Sequence, residues 1–214
     1  MSSNTNFQIA ALVDDLHPVR AMRVRNGIAL AGVAAVAVIL STVLLLGLRT
    51  DVAAGRFQPL FLFANGLFLI VAMGTALAAI RMGMPRVGQS SQGWKSVMTA
   101  AALLPVAALI MLVSQTELMP SALVTSHELK CVAMGLALGL LNAAVLVGWL
   151  RRGAPTSPER AGLLVGLSSG ALGIFAFAFH CPFDSFYHVG LWHMMPLVLG
   201  AILGRLVVPP LVRW

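Results

Sequence analysis

Three of the five histidines, one of the two cysteines and an aspartate fall within fourteen residues, "HCPFDSFYHVGLWH", positions 180 to 193. Thiolates select soft metal ions and imidazoles add borderline nitrogen donors, so His180, Cys181, Asp184, His188 and His193 are candidate ligands. The other cysteine, Cys131, stands far upstream, with His127 four residues before it and Glu128 alongside. On a helix that spacing puts His127 and Cys131 on one face. The chain has no Cys-x-x-Cys pair, so neither a thioredoxin-type motif nor a four-thiolate zinc site is expected. Cys131 and Cys181 leave three readings open: a structural disulfide, a soft-metal site completed by histidines, or a thiol–disulfide switch. An isolated histidine at a membrane surface is more often a hydrogen-bonding residue than a ligand. His193, which lies deeper, calls for a partner or a cavity.

These residues sit in a chain that is mostly apolar. Of 214 residues, 59% are hydrophobic and 10% charged, against about 25% charged in a soluble domain. Mean hydropathy is +0.91. Six apolar runs follow one another: Gly27 to Leu48, Phe57 to Ile80, Ser96 to Gln115, Cys131 to Leu150, Ala161 to Phe179, and Val189 to about Val208. Each approaches the roughly 20 residues that a helix needs to cross a bilayer. The expected fold is an all-α polytopic membrane protein, a bundle of six transmembrane helices over residues 27–214, preceded by a segment of residues 1–26. The first run is long enough to span uncleaved, so no secretory signal is expected.

Charge gives the orientation. Arg20, Arg23, Arg25, Arg81, Arg86, Lys95, Arg151, Arg152, Arg160, Arg205 and Arg213 flank one side of the spans, and Arg49, Arg56 and Lys130 the other. The richer side is cytoplasmic by the positive-inside rule, which puts both termini inside and the 180–193 stretch outside. Cys131 opens the fourth span and Cys181 follows the fifth, so both thiols reach the same outer level. The net charge of +7 serves topology in this arrangement, and direct nucleic-acid binding is not expected.

Within the spans, Gly162, Gly166 and Gly170, with Gly135/Gly139 and Gly200/Gly204, have the small-xxx-small spacing of closely packed membrane helices. Gly166-Leu-Ser168-Ser-Gly170 fits the nucleophile-elbow pattern, but mid-helix the serines are expected to bond back to their own helix's carbonyls. Pro105 and Pro196 predict kinks, and Pro209-Pro210 an end to the sixth helix. Cys181-Pro182 reads as a helix start that turns Asp184 and His188 to one side. Trp149 and Trp192 fit an interfacial belt. Before the first span, Ile9, Leu12, Val13 and Leu16 form one apolar face, with Asp14 and Asp15 on others. An interfacial helix and a partner-binding segment are both open readings, since the acidic face suits an anionic leaflet poorly.

Together, His180-Cys181-Pro182 followed by His188 and Trp192-His193, the partner Cys131 at the outer start of the fourth of six spans, and "LVDDLHPVR" resemble the NrsF-type proteins. These are six-span membrane anti-sigma factors of proteobacteria. The resemblance covers essentially the whole chain. It implies a non-enzymatic regulator in the inner membrane that sequesters an extracytoplasmic-function sigma factor and releases it under stress, with heavy metals or oxidants as the class of signal. It also implies that Cys131 and Cys181 are the paired outer cysteines needed to perceive that signal, with a soft metal ion as the possible ligand. No soluble zinc-binding anti-sigma domain is present, so the sigma factor is expected on a small surface: Ile9, Leu12, Val13 and Leu16, helped by Asp14 and Asp15. The alternative is a membrane redox enzyme or metal-ion transporter using the same cysteine pair. Against it, Asp and Glu lie only in loops or tails, no second cysteine pair exists, and no two histidines pair mid-membrane as haem ligands.

Overall fold

The computed structural model describes residues 22–84 and 126–212 other than 154, together with 10, 11, 13, 14 and 102. Every regular element among them is helical: α1 (Val24–Leu45), a short α2 (Thr50–Ala53), α3 (Pro59–Met82), α4 (Ser126–Arg151), α5 (Pro158–Phe177), a wide π-helical turn (His188–Trp192) and α6 (Met195–Val212). Five helical segments among the described residues are long and apolar enough to cross a membrane, the π turn and α6 counting as one. Most of these boundaries fall where the apolar runs meet charge, proline or glycine. The run Ser96 to Gln115, expected as a further span, and Pro105 within it lie outside the described residues.

Helices α3, α4 and α6 run one way and α1 and α5 the other. At one end, the Arg49 amide donates to Phe179 O at 2.9 Å, Phe61 meets Phe179 edge-on at 5.5 Å, and Cys131 lies 3.8 Å from Cys181. At the other, Trp149 Nε1 donates to the Ile80 carbonyl at 3.0 Å, and a side chain on Gly27 would strike Ile80 and the Trp149 indole. Trp149 is therefore a buried clamp between helices rather than a belt residue, because its N–H reaches an inter-helix carbonyl. Trp192 is half-buried and donates to the Tyr187 hydroxyl at 3.4 Å.

Helix α5 is the most enclosed of the described spans, with 83% of its most apolar stretch buried against 17% for α1. Glycine makes that position possible. A Cβ on Gly162, Gly166 or Gly170 would run into the backbone of Gly204, Gly200 or Pro196 on α6, and one on Gly173 into Gly135 on α4. Helices that approach this closely gain dispersion contacts along their full length, which replace the missing hydrophobic drive in lipid.

The serines of the Gly166–Gly170 stretch do not bond back as expected. Ser168 Oγ donates across to Ala72 O on α3 at 3.0 Å, and Asn142 Nδ2 on α4 donates to Ser168 Oγ and Ser169 Oγ at 3.1 and 3.3 Å. Because α5 is enclosed on all sides, its hydroxyls meet neighbouring helices before solvent or lipid. Back-bonding occurs instead at Thr42 and Thr75, onto the Val38 and Val71 carbonyls. Ser168 is 1% exposed, so the elbow-like motif offers no accessible nucleophile.

One proline expectation is met and one corrected. The sixth span breaks at His193-Met194, as a kink at Pro196 requires, and restarts with Pro196 in the second position of α6. Pro209 and Pro210 lie within α6, which runs on to Val212. The helical path continues through both prolines despite their two missing amide bonds and the crowding of their rings against the Arg205 and Leu206 carbonyls.

Candidate metal centre

Cys131 is set by α4, which begins at Ser126, one turn earlier than the apolar run. Cys181 follows the end of α5, where the Cys181 amide donates to Phe177 O at 3.1 Å. The chain does not start a helix at Cys181-Pro182. Residues 181–185 are irregular, and Asp184 turns away from His188 because Arg49 binds it through both carboxylate oxygens.

The wide turn explains how the two remaining histidines meet. In an α-helix, residues five apart point well away from each other; in a π turn they nearly align. The His193 amide donates to His188 O at 3.3 Å, and their ring centroids are 4.9 Å apart. Pro196 supplies a local cause, because its ring lacks an N–H for the Trp192 carbonyl and would clash with it in a continuous α-helix. The chain breaks at His193-Met194 and restarts. Pro196 then packs on α4, where a Cβ on Gly135 would come within 2.8 Å of its ring. Gly135 is one turn below Cys131, so this contact fixes the height of His193 against the thiol.

The result is a cluster of four buried donors, Cys131, Cys181, His188 and His193, whose ligand atoms lie within 4.8 Å of one another. His188 Nε2 is 3.4 Å from Cys131 Sγ and 3.5 Å from Cys181 Sγ. A tetrahedral ion with bonds of about 2.3 Å to sulfur and about 2.0 Å to nitrogen sets its sulfurs about 3.8 Å apart, and sulfur about 3.5 Å from nitrogen. The observed spacings agree. The other nitrogen of His188, Nδ1, faces Glu128 at 4.0 Å, the outer-shell carboxylate arrangement that orients metal-binding histidines. His193 Nε2 is buried with no hydrogen-bond partner among the described residues, a costly state for a polar atom that nothing binds. The Cys181 thiol is held below its ordinary range by the hydrogen bond from Cys131 first and by His188 and His193 after it, against the burial that pushes it up.

Three other candidate ligands stand apart from the four. His127 is exposed and packs its ring on Phe183, centroids 5.5 Å apart. His180 bonds through Nδ1 to the Gly47 carbonyl at 3.1 Å. Asp184 belongs to Arg49, as do both oxygens of Asp51, each 2.6 Å from the guanidinium. Sequence reasoning assigned Arg49 to topology alone, although an arginine on the poorer-charged side beside Asp51 was a signal for a buried ion pair. Asn65 is the other residue missed: Nδ2 is buried without a partner among the described residues, on a small cavity it shares with His193.

A family model described as "Negative regulator of sigma F", NrsF, matches residues 12–214. The chain belongs to the NrsF family. The probable anti-sigma-F factor NrsF of Azospira oryzae is 27% identical over 177 residues, 79% of this chain and 80% of that protein. The anti-sigma-F factor NrsF of Caulobacter vibrioides is 27% identical over 187 residues, 86% of each chain. No solved structure matches. NrsF membership makes this helical membrane protein a negative regulator of a sigma factor, and its NrsF relatives bear the names of regulators rather than enzymes. Of the candidate sigma-holding residues, Val13 and Asp14 are helical and exposed. Ile9, Leu12, Asp15 and Leu16 lie outside the described residues.

Proposed function

We propose that this NrsF protein is a multi-pass inner-membrane anti-sigma factor that holds an extracytoplasmic-function sigma factor on the cytoplasmic side and releases it when the four-donor cluster receives its signal. The observation that carries the proposal is the cluster itself: two thiols and two imidazoles, buried, with spacings suited to a tetrahedral soft ion. In this reading both termini are cytoplasmic and the cysteine end faces outward. The charges support that orientation, since Arg23, Arg25, Arg81, Arg151, Arg152, Arg160 and Arg205 lie toward the other end.

A soft ion would be held by Cys131 and Cys181 as thiolates and by one nitrogen each of His188 and His193. It would tie together α4, the loop after α5 and the entry to α6. An oxidant that takes two electrons and two protons from the thiols would draw the same elements together through a disulfide, closing a gap of 3.8 Å. Packed helices shift as bodies, and the shift changes the cytoplasmic face. Turning a sigma-binding equilibrium from 99:1 to 1:99 needs about 5.5 kcal/mol of differential binding. A metal–thiolate site is of that order, and a single histidine contact is not.

The sigma factor is held by the segment around Val13 and Asp14, its apolar residues in a groove and its acidic ones against a basic surface. Co-purification tests this part. The full-length protein in membranes should retain the sigma factor and a chain lacking residues 1–20 should not. Equal retention by both would remove the N-terminal segment as the main contact.

A further inference from the structure

The first helix has an unusual attachment. It is the least buried of the five spanning segments among the described residues, and only Gly27, Ala34, Val38 and Thr42 along it are buried. Its N-terminal end leads back to the segment that carries Val13 and Asp14. Its other end runs through Gly47 into Arg49, and there it is fastened directly to the loop that bears Cys181.

The fastening is dense. Arg49 Nη1 donates to the Cys181 carbonyl at 2.9 Å and to Asp184 Oδ1 at 2.8 Å, while Nη2 reaches Asp184 Oδ2. Nε and Nη2 also hold Asp51, at 2.6 Å each. The Arg49 amide donates to Phe179 O at 2.9 Å, and His180 bonds Gly47 O at 3.1 Å. The guanidinium lies 5.3 Å over the Phe61 ring and is 9% exposed as a residue. A planar fork buried between two carboxylates and a carbonyl permits few orientations, so a displacement of the Cys181 loop must carry Arg49 with it. The helix behind Arg49 is held to the bundle by a single narrow face, that of Gly27, Ala34, Val38 and Thr42.

We propose that Arg49, clasped to Asp184 and to the Cys181 carbonyl, is the coupling residue through which the thiol cluster moves α1 and, with it, the N-terminal segment. The inference rests on the reading of the cluster as receiver and of the N-terminal segment as the sigma-holding part. It adds the route between them, in a residue that binds neither ligand. A coupling route is established by measured coupling and not by proximity, so the test separates binding of the signal from its consequence.

The experiment uses the full-length protein in membranes with its sigma factor bound and Cd2+ as the probe, reading Cd2+ binding from the ultraviolet cadmium–thiolate absorption and sigma release from sedimentation. In Arg49→Gln, Cd2+ binding and resting sigma retention should match the unaltered chain, while Cd2+-driven release falls about tenfold or more. Undiminished release would overturn the proposal. So would loss of Cd2+ binding, because Arg49 would then serve only to position Cys181. Should Arg49→Gln fail to accumulate, Asp184→Asn decides the matter by the same readings, since it removes the paired charge and leaves the bonds to Asp51 and Cys181. Failure of the unaltered chain to release its sigma factor on Cd2+ would overturn the underlying reading and the coupling with it.

Discussion

At the scale of single residues, the cluster owes its character to burial. Cys131, Cys181, His188 and His193 are each 4% exposed or less, so among the described residues their donor atoms face one another and Glu128 rather than solvent. His193→Ala removes one of four donors and should weaken Co2+ or Cd2+ binding by about 100-fold or more, beyond the roughly 10- to 100-fold typical of outer-shell changes. His127→Ala and His180→Ala should leave the Co2+ spectrum unaltered, since those rings lie against Phe183 and the Gly47 carbonyl. A visible tetrahedral cobalt–thiolate spectrum that survives His193→Ala would remove that residue from the set.

Asp51 makes a second prediction at this scale. The Arg49 guanidinium holds its carboxyl below the ordinary 3.8. A depressed folded value means that Asp51 favours the folded state fully above pH 3.8, and that this contribution is lost as pH falls through its lowered value. The difference in thermal stability between the unaltered chain and Asp51→Asn should therefore be constant near neutrality and shrink below pH 3.8. A difference that persists unchanged in acid would assign the effect to something other than the ion pair.

At the scale of elements, the site depends on how closely three helices approach. Gly166→Leu places a side chain where the Gly200 backbone lies, and overpacking of this kind costs about 1–3 kcal/mol or more. It should lower the thermal midpoint and separate α5 from α6. Gly135→Ala is subtler: its one added carbon would lie 2.8 Å from the Pro196 ring, and should weaken metal binding by moving His193 away from Cys131. Equal metal affinity in Gly135→Ala and the unaltered chain would show that the Pro196 contact does not set the site. The glycine spacing, legible in the sequence, located these contacts. The π turn was not legible, because no periodicity signals one extra residue per turn, and reading Cys181-Pro182 as a helix start misdirected Asp184.

For the whole molecule, apolar run length sufficed to place the five spanning segments among the described residues, since lipid forces every backbone group into helical bonds. That Cys131 and Cys181 share one level was legible from parity alone, as two consecutive spans of opposite direction bring the start of the first and the end of the second to the same side. What the sequence withheld was pairing without local pattern. Arg49 and Asp184 are 135 positions apart, and Asn142 bonds Ser168 and Ser169 across two helices. Such contacts arise from packing and leave no spacing to read. They are also where a bundle has discrete alternatives, because a buried fork or amide bond is either made or broken.

The central claim is that the four-donor cluster governs retention of a sigma factor on the opposite side of the membrane. It is tested most directly by measuring sigma release from membranes on addition of Cd2+, comparing the unaltered chain with Cys131→Ser/Cys181→Ser. The account predicts release from the unaltered chain and full retention by the double variant. Equal release from both would contradict it.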